Sequence, residues 1–311
     1  MLAPSPPPTN QKRGTQPRTQ HLDGLAVARQ LRRLAAAERA PWLHAEIASR
    51  MAERLPIIKL QPQRVLQWSA FLGASDDALA AVYPQAEQAL VEATPALRAR
   101  SSDAHPRGWL DTVLRRAPVQ VLAPDTLQGT QVDLVWANMA LHTSLDMPQT
   151  LARWQAALAV DGFVMFSCLG PDSFVELRRV YSQRGWGRPA TDWWDMHDIG
   201  DLLIEAGFAD PVMDQERISL TWTQPEALLN DLRALGGNAA PDRFASLRGR
   251  AWRQSLLLAL EDLRGTDGLL RLSLEIVYGH AFKPLPKARL SAETQVSLDD
   301  MRAMVQRPRQ P

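Results

Sequence analysis

The feature that most constrains this chain is a change of rhythm at Arg64. Before it, apolar residues recur at helical spacing: Val27, Leu31, Leu34 and Ala35 share one face, and Leu43, Ile47 and Met51 share the next. Pro41 divides this stretch into two helices, because its ring fits a first helical turn and breaks an interior. After Arg64, short apolar runs alternate with amphipathic stretches, the pattern of βα units around a parallel sheet. The clearest expected strands are 65–68, 89–92, 132–137 and 163–168, the last entered through a tight turn at Asp161-Gly162. Helices are expected over 148–159 and 172–183, and again from Asp195 to a C-cap at Gly207. Two strand-like runs follow, 209–213 and 218–222, read as a hairpin-like pair. Helical segments over 225–235 and 247–263 precede a last strand-like run, 270–278. The fold class is therefore α/β, a Rossmann-like doubly wound sheet flanked by helices, with an N-terminal helical extension (22–60) and a helical insertion (224–265).

With 311 residues, 45% of them hydrophobic, the chain can bury a full core without disulfides or a structural metal. The single cysteine, Cys168, has no internal partner and leaves no cysteine-based metal site, which suits a reducing, cytoplasmic setting. A net charge of +1 is too balanced for a protein that holds nucleic acid by general electrostatics, so nucleic acid is not expected as a partner. Residues 1–21, rich in Pro, Thr and Gln, and residues 285–311 read as tails around a folded domain over 22–284. Charged residues interrupt every apolar run, so no membrane span is expected.

Four segments carry a family likeness: VDLVWANMALH (132–142), FSCLGPDSFVELR (166–178), DMHDIGDLLIEAGFADPVMDQE (195–216) and EIVYGHAFKP (275–284). Read together over about residues 22–284, they resemble the malonyl-acyl-carrier-protein O-methyltransferases. The 195–214 segment is also similar to a related enzyme type that hydroxylates a protein arginine during respiratory complex I assembly, but the YGHA ending is closer to the first. The resemblance implies a seven-stranded methyltransferase sheet and S-adenosylmethionine as methyl donor. It also implies a malonyl thioester presented by acyl carrier protein in biotin synthesis. Independently of it, a doubly wound sheet places its ligands at the carboxyl ends of the strands near the topological switch point.

In such a family the first strand ends in an acid and a glycine-rich turn, so that backbone can lie against the methionine part of the donor. The matching stretch here is RVLQWSAFLG (64–73). Gln67 stands at the acid's position, Ser69 and Phe71 replace two glycines, and Gly73 remains. A bulky side chain at such a turn costs on the order of 1–3 kcal/mol, roughly tenfold to hundredfold in affinity. The resemblance assigns Glu92 to the ribose hydroxyls and Asp125 to the adenine amino group. Read plainly, the first is a strand-end acid and the second a turn residue beside Pro124. Asn138, at a strand's carboxyl end, either reaches ligand or caps the turn that follows it. His142 reads as a packing residue ahead of an acid or base.

Methyl transfer to a carboxylate needs no general base, because the nucleophile is already ionised at neutral pH. Alignment and a dry pocket are the protein's share. The lack of a triad, HExxH or paired-carboxylate motif is therefore compatible with an enzyme. Arg178, Arg179, Arg243, Arg248 and Arg250 are candidates to hold the substrate carboxylate. Arg243, Arg248, Arg250 and Arg253, with Lys283, Lys287 and Arg289, form a candidate docking surface for an acidic carrier. Tyr278 and His280 shape the acyl pocket or pack the sheet edge. Asp195 and Asp198 suit a helix start, so His197 reads as structural and no metal is expected. Two other readings stand beside the methyltransferase: a catalytically impaired member of the fold that binds carrier or a partner enzyme, and the protein hydroxylase.

Overall fold

In this computed structural model residues 22–106, 118–244 and 246–286 are described; the expected tail 1–21 and all of the expected tail 285–311 from residue 287 on, with Lys287 and Arg289, lie outside the described residues. Asp23 opens the first helix, α1 (Gly24–Ala35), by accepting the N–H groups of Leu25 and Ala26. Pro41 sits at the N-cap of α2 (Trp42–Ala52), where the sequence placed the break. Among the described residues a seven-stranded sheet follows: β1 (Arg64–Trp68), β2 (Glu87–Val91), β3 (Gln120–Leu122), β4 (Val132–Ala137), β5 (Leu158–Leu169), β6 (Ala209–Trp222) and β7 (Leu270–Phe282). Their spatial order is β3-β2-β1-β4-β5-β7-β6, with β7 antiparallel to both its neighbours and the rest parallel. The order reverses between β1 and β4, which makes the carboxyl ends of those strands the switch point.

Helices cover both faces: α3 (Ala70–Gly73), α4 (Asp76–Val82), α5 (Pro95–Ala104), α6 (Met147–Ala157), α7 (Val175–Gln183), α8 (Met196–Glu205), α9 (Pro225–Ala234) and α10 (Arg250–Glu261). On one face Ile47 and Met51 of α2 join Trp136, Phe163 and Tyr278. On the other, Trp154 of α6 and Ile199 of α8 join Phe166 and Val277. Central strands buried on both faces explain why β4 and β5 read as continuous apolar runs. No described helix is long and apolar enough to cross a membrane.

Two expectations are corrected. The runs 209–213 and 218–222 are not a hairpin but one strand, β6, paired along its length with β7. The polar residues between them suggest a turn; instead Asp214 and Glu216 stay in the strand and meet Arg54, just past the end of α2, and Arg50 of α2. Asp161-Gly162 lies inside β5 rather than before it. Asp161 takes φ 63° at a shift in register with β4, a bulge, and a Cβ on Gly162 would come within 3.0 Å of the Asp133 and Ala159 carbonyls.

Candidate functional site

Two regions adjoin at the carboxyl edge of the sheet. The first, beyond β4 and β5, is a cavity of about 120 Å³ walled by Leu43, Met139, Leu169, Phe174, Trp193 and Leu235. Its loops are held from behind. Asp172 N–H donates to Glu275 Oε2 at 2.8 Å and Gly170 N–H to the Glu275 carbonyl at 2.9 Å, while Glu275 N–H donates to Ser173 Oγ at 3.0 Å. Arg178 donates to the Thr191 carbonyl at 2.7 Å and to Asp192 at 3.0 Å, and so fixes the loop that carries Trp193. Glu275 and Ser173 were missed as site residues by sequence reasoning; the available signal was one acid in the apolar run of β7.

His44 and His142 contribute polar wall to this cavity. The Leu72 carbonyl, 2.7 Å from His44 Nδ1, can only accept, so Nδ1 carries the proton. Burial holds His44 down at about 4; burial, and then His44 itself, hold His142 at about 3. Both imidazoles are neutral at pH 7. Among the described lining residues there is no arginine or lysine.

The second region lies at the ends of β1 and β2. Ser69 (φ 56°) and Ala74 (φ 48°) take left-handed conformations on either side of α3. Within this turn the Phe71 N–H donates to Glu92 Oε1 at 2.7 Å, and the Ser101 hydroxyl donates to the same oxygen at 2.7 Å. Glu92 is 0% exposed, and its Oε2 has no hydrogen-bond partner among the described residues. Burial pushes its carboxyl upward against the two hydrogen bonds and nearby Arg98. Phe71 and Leu72 pack with Leu31, Leu34 and Ala35 of α1 and Leu97 of α5. Over the Phe71 ring, 4.4 Å away, lies the Arg100 guanidinium, which also donates to the Ala35 carbonyl at 3.2 Å and to the Glu38 carbonyl.

The remaining cofactor candidates are placed as follows. Gln67 is buried and donates to Asp76 at 2.8 Å. Gly73 has no left-handed φ, and a Cβ built there would meet nothing nearer than Ser75 Oγ at 3.5 Å, so this glycine keeps no backbone bare for a ligand. Asn138 is the partition between the two regions. Its amide donates to the His44 and Gly73 carbonyls, each at 2.6 Å, and its oxygen accepts from Ser167 at 2.7 Å. It caps no turn of its own. Asp125 stands apart, exposed in the turn beyond β3.

The substrate candidates divide more sharply. Tyr278 donates to Glu216 at 3.2 Å with Arg54 stacked 3.8 Å from its ring, and His280 meets Phe282 edge-on at 5.9 Å. Neither lines the cavity. The YGHA segment instead lies within β7, with Tyr278 in the core on the α2 face and Ala281 in the core on the other, and its glycine is dictated by packing, since a Cβ there would lie 2.3 Å from the Phe166 ring. Arg243 pairs with Asp23 at 2.7 Å, tying its loop to the start of α1. Arg248 sits 4.4 Å from the Phe244 ring and 4.2 Å from the Trp252 ring. Lys283 donates to the Leu158 carbonyl at 2.7 Å. Arg250 and Arg253 of α10 and Arg179 of α7 are exposed. Asp195 caps α8 through the N–H groups of His197 and Asp198, the structural role expected of it.

No protein-family profile matches the chain. A malonyl-[acyl-carrier protein] O-methyltransferase from Laribacter hongkongensis is 37% identical over 274 residues, covering 86% of this chain and 90% of the relative. Its counterpart from Gallionella capsiferriformans is 37% identical over 250 residues, covering 79% and 85%. Among solved structures, a methyltransferase-fold protein from Bacillus halodurans superposes with a TM-score of 0.50 at 15% identity, over 76% of this chain and 99% of that one. That likeness concerns the fold.

Proposed function

Because the chain belongs to the malonyl-[acyl-carrier protein] O-methyltransferase family, we propose that it methylates the terminal carboxylate of a malonyl thioester carried by acyl carrier protein, with S-adenosylmethionine as donor, in biotin synthesis. The observation that carries this reading is the apolar cavity at the carboxyl ends of β4 and β5, on the sheet edge where a doubly wound fold presents ligands and beside the β1–β4 switch point. Its walls strip water from an entering carboxylate, which is already ionised and needs no base. Two neutral imidazoles beside it suit that chemistry, since neither draws a proton from solution at pH 7. The exposed Arg179, Arg250 and Arg253, on two helices that pack together, offer positive charge to an acidic carrier.

The donor does not fit the β1–β2 end as this chain holds it. A ribose diol would meet a carboxylate whose Oε1 Phe71 and Ser101 already engage, and the turn beside it is packed rather than bare. No step of the transfer is assigned to residues there. The test is direct: full-length protein, malonyl-loaded carrier and S-adenosylmethionine, with intact-mass measurement of the carrier. Gain of one methyl on the malonyl group is expected. An unchanged carrier mass at saturating donor would refute the proposal.

A further inference from the structure

The mismatch at the β1–β2 end has a definite form: the chain's own main chain takes the contact that a ligand would take. Resting on the reading above only for the identity of the donor, we propose that the Phe71 turn is a built-in occupant of the nucleoside crevice, and that a nucleoside binds there only by displacing it.

Three observations converge. Glu92, the acid at the end of β2, accepts the Phe71 N–H at 2.7 Å, so the strand-end carboxylate binds its own turn. A clasp then holds the turn down from outside. Leu72 is buried and Phe71 half-buried against α1, and Arg100 of α5 spans from the Phe71 ring to carbonyls at the end of α1. Finally, the closed arrangement leaves Glu92 Oε2 buried without a partner among the described residues. An ionisable oxygen in that condition is a standing penalty, and a ligand hydroxyl would relieve it. The closed crevice is thus held by apolar packing and one clasp, and it leaves unmet a polar need of the kind a ribose supplies.

The same geometry couples the crevice to the cavity. Leu72 and Gly73 present their carbonyls to His44 and Asn138, and His44 is part of the cavity wall. Displacing the turn frees both of those donors, so a ligand in either region alters the affinity of the other by the same factor.

The experiment measures binding rather than turnover. S-adenosylhomocysteine is titrated calorimetrically into the full-length chain, Phe71→Ala and Arg100→Gln, each checked for folding by circular dichroism, with hydrogen exchange followed at residues 69–74. Phe71→Ala is expected to tighten binding at least tenfold and Arg100→Gln severalfold, and the ligand should expose the 69–74 amides of the parent chain. Equal affinity in all three, with no exchange response, would overturn the inference. So would failure of every folded form to bind, because the crevice would then be lost rather than covered. Should Phe71→Ala fail to fold, Arg100→Gln and the exchange data decide. Tightened binding without methyl transfer would sink the proposed reaction and leave the occupant standing; methyl transfer with affinity indifferent to both substitutions would do the reverse.

Discussion

The two regions at the sheet's carboxyl edge are neighbours, yet one stays open and the other closes on itself. At the cavity, polar groups are satisfied sideways and from behind: Glu275 and Ser173 secure the 170–173 turn, and Arg178 secures the loop at Thr191. The facing walls are left apolar and apart. At the β1–β2 end the hydrogen bonds run across the gap, from Phe71 and Ser101 to Glu92, and they draw the walls together. Buried polar groups must be paired somewhere, and the direction of that pairing decides whether a strand-end site is a pocket or a seam.

The largest test of this contrast is pH. His44 and His142 stay neutral to about 4 and about 3 in the folded chain, against 6.5 for an ordinary histidine. The unfolded chain therefore binds more protons between those values, so stability rises with pH across the window and is lost on acidification. The expected loss is roughly 5 kcal/mol between about pH 6.5 and pH 4.5. Glu92, shifted upward, opposes this in its own range, because its protonated form is the one the fold prefers. Urea midpoints that barely move across the window would show that water already reaches the cavity floor.

Next in size is the partition. Asn138→Ala removes the donor shared by the His44 and Gly73 carbonyls and the acceptor of the Ser167 hydroxyl, and should cost about 3 kcal/mol in chemical denaturation. A cost under about 1 kcal/mol would mean that the two regions do not share this wall. Smaller, and opposite in sign, is Glu92→Gln. Removing a buried charge while keeping an acceptor for the Phe71 N–H should raise stability at neutral pH by about 1 kcal/mol. A loss there would indicate an end more open than its 0% exposure implies. The smallest effect concerns the surface: Arg250→Glu with Arg253→Glu should weaken carrier binding severalfold in a salt-sensitive way. Arg248→Gln should lower stability instead, because that guanidinium sits between Phe244 and Trp252. The reverse pattern, read by titration and by melting, would move the docking surface.

Much of the fold was legible because it rests on local chemistry. The periodicity from Leu25 to Leu55, the break at Pro41 and the capping Asp195 each act within a few residues of themselves. Where the reading failed, the deciding partner was distant. Nothing local tells that Asp214 and Glu216 belong in a strand, since the arginines that satisfy them lie in and just after α2, 160 and 166 residues away. The candidate site was legible by position only. Gln67, Ser69, Gly73, Glu92 and Asn138 do gather at one edge, but sequence gave no sign that Glu92 would bind the turn instead of leaving its oxygens to a ligand. Tyr278 and His280 show the same limit: in a recognisable segment, their side chains meet Glu216 and Phe282 and do not line the cavity.

By itself, then, the sequence determined the alternation of strand and helix, the switch point that alternation creates, and the substitution of Phe71 into a turn where glycine would leave space. Those depend on backbone propensity and hydrophobic period, which are properties of short windows. Only the tertiary structure decided that Phe71 lies under Arg100 and α1, that Asn138 divides two regions, and that Arg248 faces inward. Each of those outcomes is a choice among hydrogen-bond and packing partners brought together from far along the chain. The choice goes to whichever arrangement leaves the fewest buried groups unmet.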